Sequence, residues 1–206
     1  VNAYTTYTHT TYYFTAAQNV KEAMVLLLDF VQNPYFTDES VKKEQGIIEQ
    51  EIRMYLDDPG WRSSANLLEA LFVRHPVRLD IAGTVESIRR IDQDLLYLCH
   101  RIFYHPSNMV LFVAGDLDPR AVVEQARAAF AGRSYPAQAP IQRCLPEEPQ
   151  AIAQRRRIQE LVVSQPIFRL GFKEKQVGLT GRPLLERDLL TAILLDVLVG
   201  KGSSLY

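Results

Sequence analysis

Apolar residues recur at intervals of three and four along most of this chain, and that period predicts a molecule built largely of amphipathic helices. Val20, Met24, Leu27, Leu28 and Val31 mark a helix to about Gln32, capped by Asn19 with Glu22 in position for a capping box, and Pro34 follows its end. Val41, Ile48, Ile52 and Tyr55 fall within one ~100° sector of a second helix, with Lys42, Glu49 and Arg53 on the opposite, solvent-like face. Thr37 can cap that helix, and Asp38 and Glu39 place negative charge where its dipole favours it. Asp57-Asp58-Pro59-Gly60 turns the chain into a helix over 61–73, with Trp61 packed at its start. Thr84 caps a short helical turn to Arg90. Asp92 caps a helix over about 93–104, stopped by His105-Pro106, and Asp118-Pro119 opens another to about Phe130. The helix over 183–199 is apolar on most sides, so it calls for cover from several directions.

Other stretches follow a different pattern. Residues 2–16 are dominated by Thr and Tyr, which favour strands, and the break at Thr8-His9 suggests a hairpin. Such a hairpin is either an ordinary part of a sheet or an edge that accepts an extended peptide. Met109 to Ala114 is a continuous apolar run, expected as a buried strand. Ile158 to Val163 and Ile167 to Phe172 are expected as two further strands. Between them and the first part of the chain, Pro136, Pro140, Pro146 and Pro149 punctuate a stretch with little periodicity, which reads as an extended linker. Arg155-Arg156-Arg157 is read as the solvated start of a strand.

The chemistry concentrates on the second helix. Glu44 and Glu51 are seven residues apart, so they differ by only about 20° around the axis and lie at the margin of the apolar face. A carboxylate on a buried face is costly unless it is paired, protonated or bound to a metal. Two readings stand: structural glutamates held by Arg or backbone N–H groups, or a metal ligand and its helper. Composition changes this picture little. The 206 residues, 47% hydrophobic and 23% charged, suit a globular protein of one domain or one and part of a second. A net charge of −1 gives no basic footprint for nucleic acid. No apolar run approaches the ~18 residues of a membrane span. Cys99 and Cys144, without CxxC spacing, suit the cytoplasm. Both termini read as cut from something longer.

Several motifs in order then resemble the pitrilysin/insulinase family of zinc peptidases, which carry an inverted HxxEH motif. They are Asn2-Ala3-Tyr4-Thr5, Glu44-(x6)-Glu51, Tyr104-His105-Pro106-Ser107-Asn108-Met109 with Val113-Ala114-Gly115-Asp116, Gln165-Pro166 with Gly171-Phe172, and Gly202-Ser203-Ser204-Leu205-Tyr206. Through 37–59 and 75–109 the likeness is strongest to the bacterial processing peptidases of the family, some of them linked to modification of elongation factor P. The resemblance implies an α+β fold like that of mitochondrial processing peptidase, with helices packed on a largely antiparallel sheet. It also implies the latter part of a first domain over 1–132, the linker over 133–150 and the start of a second, similar domain over 151–206. Glu51 falls on the third zinc ligand and Glu44 on a supporting residue near the metal. Asn2, Ala3, Tyr4 and Thr5 fall on the strand that pairs with extended substrate. The implied activity is peptide-bond hydrolysis by zinc-activated water, on a peptide or protein substrate. The implied partner is a second family half or homologous subunit, as a homo- or hetero-dimer.

The chain departs from the family in one respect. His9, His75, His100 and His105 form no HxxEH or HxxxH pair, and structural or surface roles suit them. A catalytic zinc needs three protein ligands, and the missing motif is expected a few tens of residues before Asn2. The chain alone is therefore expected to be inactive and without zinc, which belongs to a full-length parent. Two alternatives remain: a non-catalytic family member acting as a structural or substrate-presenting partner, and a metal-free peptide-binding module built on the 2–6 edge.

Overall fold

The computed structural model describes residues 1–203. Strand β1 (Asn2–Thr5) pairs antiparallel with β2 (Thr10–Tyr13), Asn2 opposite Tyr13, and the Thr6 N–H closes the turn on the His9 carbonyl at 2.8 Å. Behind the hairpin lies α1 (Val20–Gln32), packed on β2 and on α6 (Pro119–Phe130) around Met24, which is 3% exposed. Tyr12 ties the hairpin to α5 (Gln93–Phe103) through a 2.7 Å bond between its hydroxyl and that of Tyr104. The Tyr97 hydroxyl on α5 accepts from the Phe36 N–H at 3.0 Å, and His100 Nε2 meets the Val31 carbonyl at 2.8 Å. One expected cap fails. Asn19 is left-handed at φ 54° and its side chain makes no cap bond, so the capping box with Glu22 does not form. The usual capping geometry has extended φ and ψ, which aims the side-chain oxygen at the first N–H groups.

Three helices make the second cluster: α2 (Asp38–Asp57), α3 (Pro59–Leu71) and α4 (Val85–Ile88). Thr37 Oγ1 accepts from the Ser40 N–H at 3.1 Å while Ser40 Oγ accepts from the Thr37 N–H at 3.0 Å, a reciprocal box that starts α2. Thr84 and Ser87 repeat the device for α4. Asp58 ends α2 and caps α3, so α3 begins at Pro59, two residues before Trp61; proline suits a first helical position because its missing N–H would have no partner there. Val41, 7% exposed, and Ile52, 4% exposed, form the stripe that α2 buries, and α3 and α4 are the elements packed against it.

The later part of the chain corrects the strand expectations. Residues 109–114 form no strand, with Val110 93% and Phe112 86% exposed, and neither 158–163 nor 167–172 forms one. A strand needs a neighbour to take its N–H and C=O groups, and among the described residues only β1 and β2 pair. Instead, 154–171 runs along α3. The Gln154 N–H donates to the Ala70 carbonyl at 2.9 Å, Arg157 pairs with Glu69, and Arg169 Nε donates to Ser63 Oγ at 2.6 Å. Gly171 lies so near α3 that a Cβ there would meet Leu71 Cδ1 at 2.8 Å. Helix α7 (Gly181–Val199) has no buried residue, so the cover its sequence calls for is not supplied by the described residues. The Gly202–Tyr206 motif reaches past them. The fold is thus α+β, helix-rich, with a small two-stranded antiparallel sheet, and among the described residues no helix is long and apolar enough to cross a membrane.

Candidate functional site

The α2 helix carries both glutamates on regular backbone, two turns and so about 10 Å apart along the axis. Both are exposed. The sequence places them at the margin of a buried face. The face proves narrow: α3 and α4 pack on α2 over Val41 and Ile52, and its margin is open to water. The acid that packing does engage is Glu49, expected on the solvent face. It pairs with Arg53 on its own helix at 2.8 Å and with Arg89, just past α4, at 2.9 Å. Those hydrogen bonds hold the Glu49 carboxyl below its usual pKa. Arg89 lies forty residues on, which is why the pairing was not legible in the helical period.

Glu51 sits in different surroundings. Among the described residues no cation pairs with it; its Oε1 accepts from the Tyr55 hydroxyl at 2.7 Å, one helical turn on. The Tyr55 ring stacks on Trp61, with centroids 4.4 Å apart and planes 16° apart, and the Trp61 Nε1–H donates to Asp80 Oδ2 at 2.9 Å. The hydrogen bond to Glu51, followed by that carboxylate's charge, pushes the Tyr55 hydroxyl above its usual pKa. Partial burial and then the Asp80 charge raise the hydroxyl of Tyr7, in the hairpin turn, in the same direction. Sequence reasoning counted Tyr55 as core and Trp61 as packing, and passed over Asp80. The available signal was the i, i+4 spacing of Glu51 and Tyr55.

Asn2, Ala3, Tyr4 and Thr5 form β1, exposed throughout. One side of β1 is bonded to β2, and among the described residues no strand lies on the other. An edge of this kind can receive an extended peptide. The histidines serve local roles. His75 Nδ1 accepts from the Val77 N–H at 3.1 Å, His105 Nδ1 is 2.7 Å from Ser107 Oγ, and His9 Nδ1 is 3.1 Å from Thr6 Oγ1. His100 is the residue that meets Val31 and stacks on Tyr104.

A zinc ion can be tested against these donors. Glu51 suits one position: an exposed carboxylate that, among the described residues, has no cation paired with it and one oxygen held by Tyr55. Among the described residues no group of three or more His, Cys, Asp or Glu side chains could hold a metal. The described residues therefore do not by themselves supply the three protein ligands that such a site needs.

Comparison with known proteins bears on both findings. Residues 1–85 match the family model described as Insulinase (Peptidase family M16), and 90–206 match the model described as Peptidase M16 inactive domain. The chain is 44% identical over 205 residues to an uncharacterized zinc protease, YmfH, of Bacillus subtilis (strain 168), covering 100% of this chain and 48% of that protein. It is 34% identical over 138 residues to cytochrome b-c1 complex subunit 1, mitochondrial, of Bos taurus, covering 65% of this chain and 28% of the subunit. A crystal structure of an M16-like peptidase from Alicyclobacillus acidocaldarius superposes with a TM-score of 0.86 at 41% identity, covering 98% of this chain and 48% of that one. The chain spans about half the length, or less, of the relatives it matches.

Proposed function

The chain belongs to peptidase family M16, and from that premise we propose that it forms part of a zinc-dependent metalloendopeptidase that hydrolyses peptide bonds with metal-activated water. In this reading Glu51 is the carboxylate ligand, Glu44 supports it one heptad back, and the open edge of β1 over Asn2, Ala3, Tyr4 and Thr5 aligns an extended substrate. The observation that carries the reading is Glu51 itself, a carboxylate exposed on a regular helix, hydrogen-bonded by Tyr55 and paired with no cation among the described residues. Zinc, when bound, polarises the scissile carbonyl and lowers the pKa of its water to ~7. The remaining donors come from the rest of a longer parent protein, so the 206-residue chain alone is inactive. The division into 1–132, a linker over 133–150 and 151–206 belongs to the same proposal, supported by the lack of any helix or strand from 134 to 150. A second family half or homologous subunit would enclose the substrate.

A second reading has an observation of its own. The match of 90–206 to an inactive domain, together with likeness to a subunit of a cytochrome b-c1 complex, favours a non-catalytic partner that presents substrate. One experiment decides between them: zinc content and peptide hydrolysis of the full-length protein, with and without Glu51→Gln. The peptidase reading expects about one zinc per protein and loss of both metal and hydrolysis in the variant. A wild-type protein with neither zinc nor hydrolysis supports the partner reading. Full activity in the variant removes Glu51 from the ligand set.

A further inference from the structure

Ala3 lies opposite Tyr12 in the hairpin and Thr5 opposite Thr10, so these four side chains share one side of the ladder. Three of them are small, and the Thr5 and Thr10 hydroxyls meet each other at 3.1 Å. Tyr12 is the large side chain of the set, and it reaches the body of the protein. Its ring is edge-on to Phe30 of α1 at 6.0 Å, and its hydroxyl is 2.7 Å from that of Tyr104. Tyr104 is held in turn. It ends α5 with its N–H on the His100 carbonyl at 2.9 Å, and its ring stacks on the His100 ring with centroids 4.8 Å apart. Burial, then the Tyr12 hydroxyl, push the Tyr104 hydroxyl above its usual pKa, which keeps the pair neutral and bonded.

The ladder also fixes which backbone groups of β1 are open. The Thr6 N–H donates to the His9 carbonyl. Bonded and unbonded pairs alternate along an antiparallel ladder, so Ala3 and Thr5 turn their N–H and C=O groups away from β2. We propose that Tyr12 and Tyr104 are positioning residues for this edge: the contact between their hydroxyls holds the hairpin on the seam of α1 and α5, so that Ala3 and Thr5 meet the backbone of an extended peptide as a preformed strand. The proposal rests on the reading of β1 as the edge that aligns substrate. A two-stranded hairpin is marginal in water without a further element to pack on. A peptide that had to order the hairpin as it bound would lose affinity in proportion to the fraction of molecules not yet ordered. The bland account, a tyrosine pair that merely packs α5 on its neighbours, has no bearing on peptide affinity.

The test uses the full-length protein with a short, unstructured, fluorescein-labelled casein peptide as the probe, in chelator so that binding is read without hydrolysis. Amide hydrogen exchange and the peptide dissociation constant are measured for the wild type, Tyr12→Phe, Tyr104→Phe and the double variant. In the wild type the peptide is expected to slow exchange at Ala3 and Thr5. Each single variant keeps its ring and removes one oxygen. Losing one such bond should speed exchange of the β1–β2 amides about 2–10-fold, leave α2 unchanged, and raise the peptide dissociation constant within the same factor. The double variant should be no worse than the weaker single one, because both remove the same contact. Should one single variant fail to fold, the other tests the same contact. Faster hairpin exchange with unchanged peptide affinity, or wild-type behaviour in both singles, overturns the positioning role and keeps the edge. Faster exchange throughout α2 as well overturns it too, since the contact then holds the whole fold. A wild-type protein in which the peptide gives no protection at Ala3 and Thr5 overturns both the edge and the positioning role.

Discussion

Glu148 shows how much a single residue of an irregular segment can hold. It lies in the proline-punctuated stretch, yet its carboxylate accepts from three successive backbone N–H groups, Val73 at 2.8 Å, Arg74 at 2.7 Å and His75 at 2.6 Å, and pairs with Lys173. Lys173 Nζ also donates to the carbonyls of Pro149 at 2.7 Å and Ala151 at 3.0 Å and sits over the Phe72 ring. The two charged side chains are 14% and 10% exposed. Burial pushes the Glu148 carboxyl up, but Lys173 and the three N–H groups outweigh it and hold the pKa at about 2. The folded value lies below the ~4.3 of an unfolded glutamate. The contact therefore stabilises the fold fully above about pH 4, and that stability is lost as pH falls toward 2. Thermal melts of the wild type and Glu148→Gln should differ most at neutral pH and converge toward pH 2, with the variant the less stable at pH 7. A gap independent of pH would refute the account. Such contacts were not legible in the sequence, because their partners lie 73 to 75 positions away along the chain. Caps at Thr37, Thr84, Asp92 and Asp118 were legible because each is settled within three residues. Asn19 misled because the side-chain type was right while the backbone turned left-handed.

At the scale of the element, α2 combines features that stabilise it with one that does not. Its capping box is worth about 1 kcal/mol, so Thr37→Ala should lower stability by about that much in urea titrations. Gly46 works the other way. It lies in the body of the helix without a positive φ, and a Cβ built there meets nothing within 4 Å. Gly46→Ala should therefore raise stability by about 0.5–1 kcal/mol, chiefly by restricting the unfolded chain. A loss of stability in that variant would mean that the position is crowded in a way the packing does not reveal. The helices were legible because the helical period is local and repeats through each element. Their boundaries fall within about two residues of the expected ones, as at both ends of α3, the end of α4 and the start of α7. The strands at 109–114, 158–163 and 167–172 were misread because an apolar run declares that a segment seeks burial without saying what will bury it. The site divides the same way. Glu44, Glu51 and β1 were named from the order of motifs, whereas Tyr55, Trp61 and Asp80 come together only once α3 turns back on α2.

The whole molecule presents more apolar surface than a chain of this length ordinarily leaves in water. Val110, Phe112, Phe168 and Phe172 project from segments without regular structure, and α7 exposes Leu185, Leu190, Ile193, Leu194 and Val197 around its circumference. A groove of about 700 Å³ between 111–117 and α6 is lined by Leu111, Val113, Leu117, Val122, Ala126 and Phe130. Four hydrophobic residues are buried among those described, Met24, Val41, Ile52 and Ala70. Covering apolar surface yields about 25 cal/mol per Å², so these faces favour association with whatever apolar surface they meet. The chain expressed alone should bind a hydrophobic dye and elute as concentration-dependent assemblies on the order of 10–100 μM, as species with exposed apolar surface do. Light scattering coupled to size exclusion reads this directly. Leu190→Lys with Ile193→Lys breaks one face of α7, where no packed neighbour is lost, and should raise the monomer fraction severalfold without altering the helical signal. The dye signal should fall only in part, since the 109–114 and 158–172 faces remain. A monodisperse wild-type chain without dye binding in that range would show that these faces close on one another in solution.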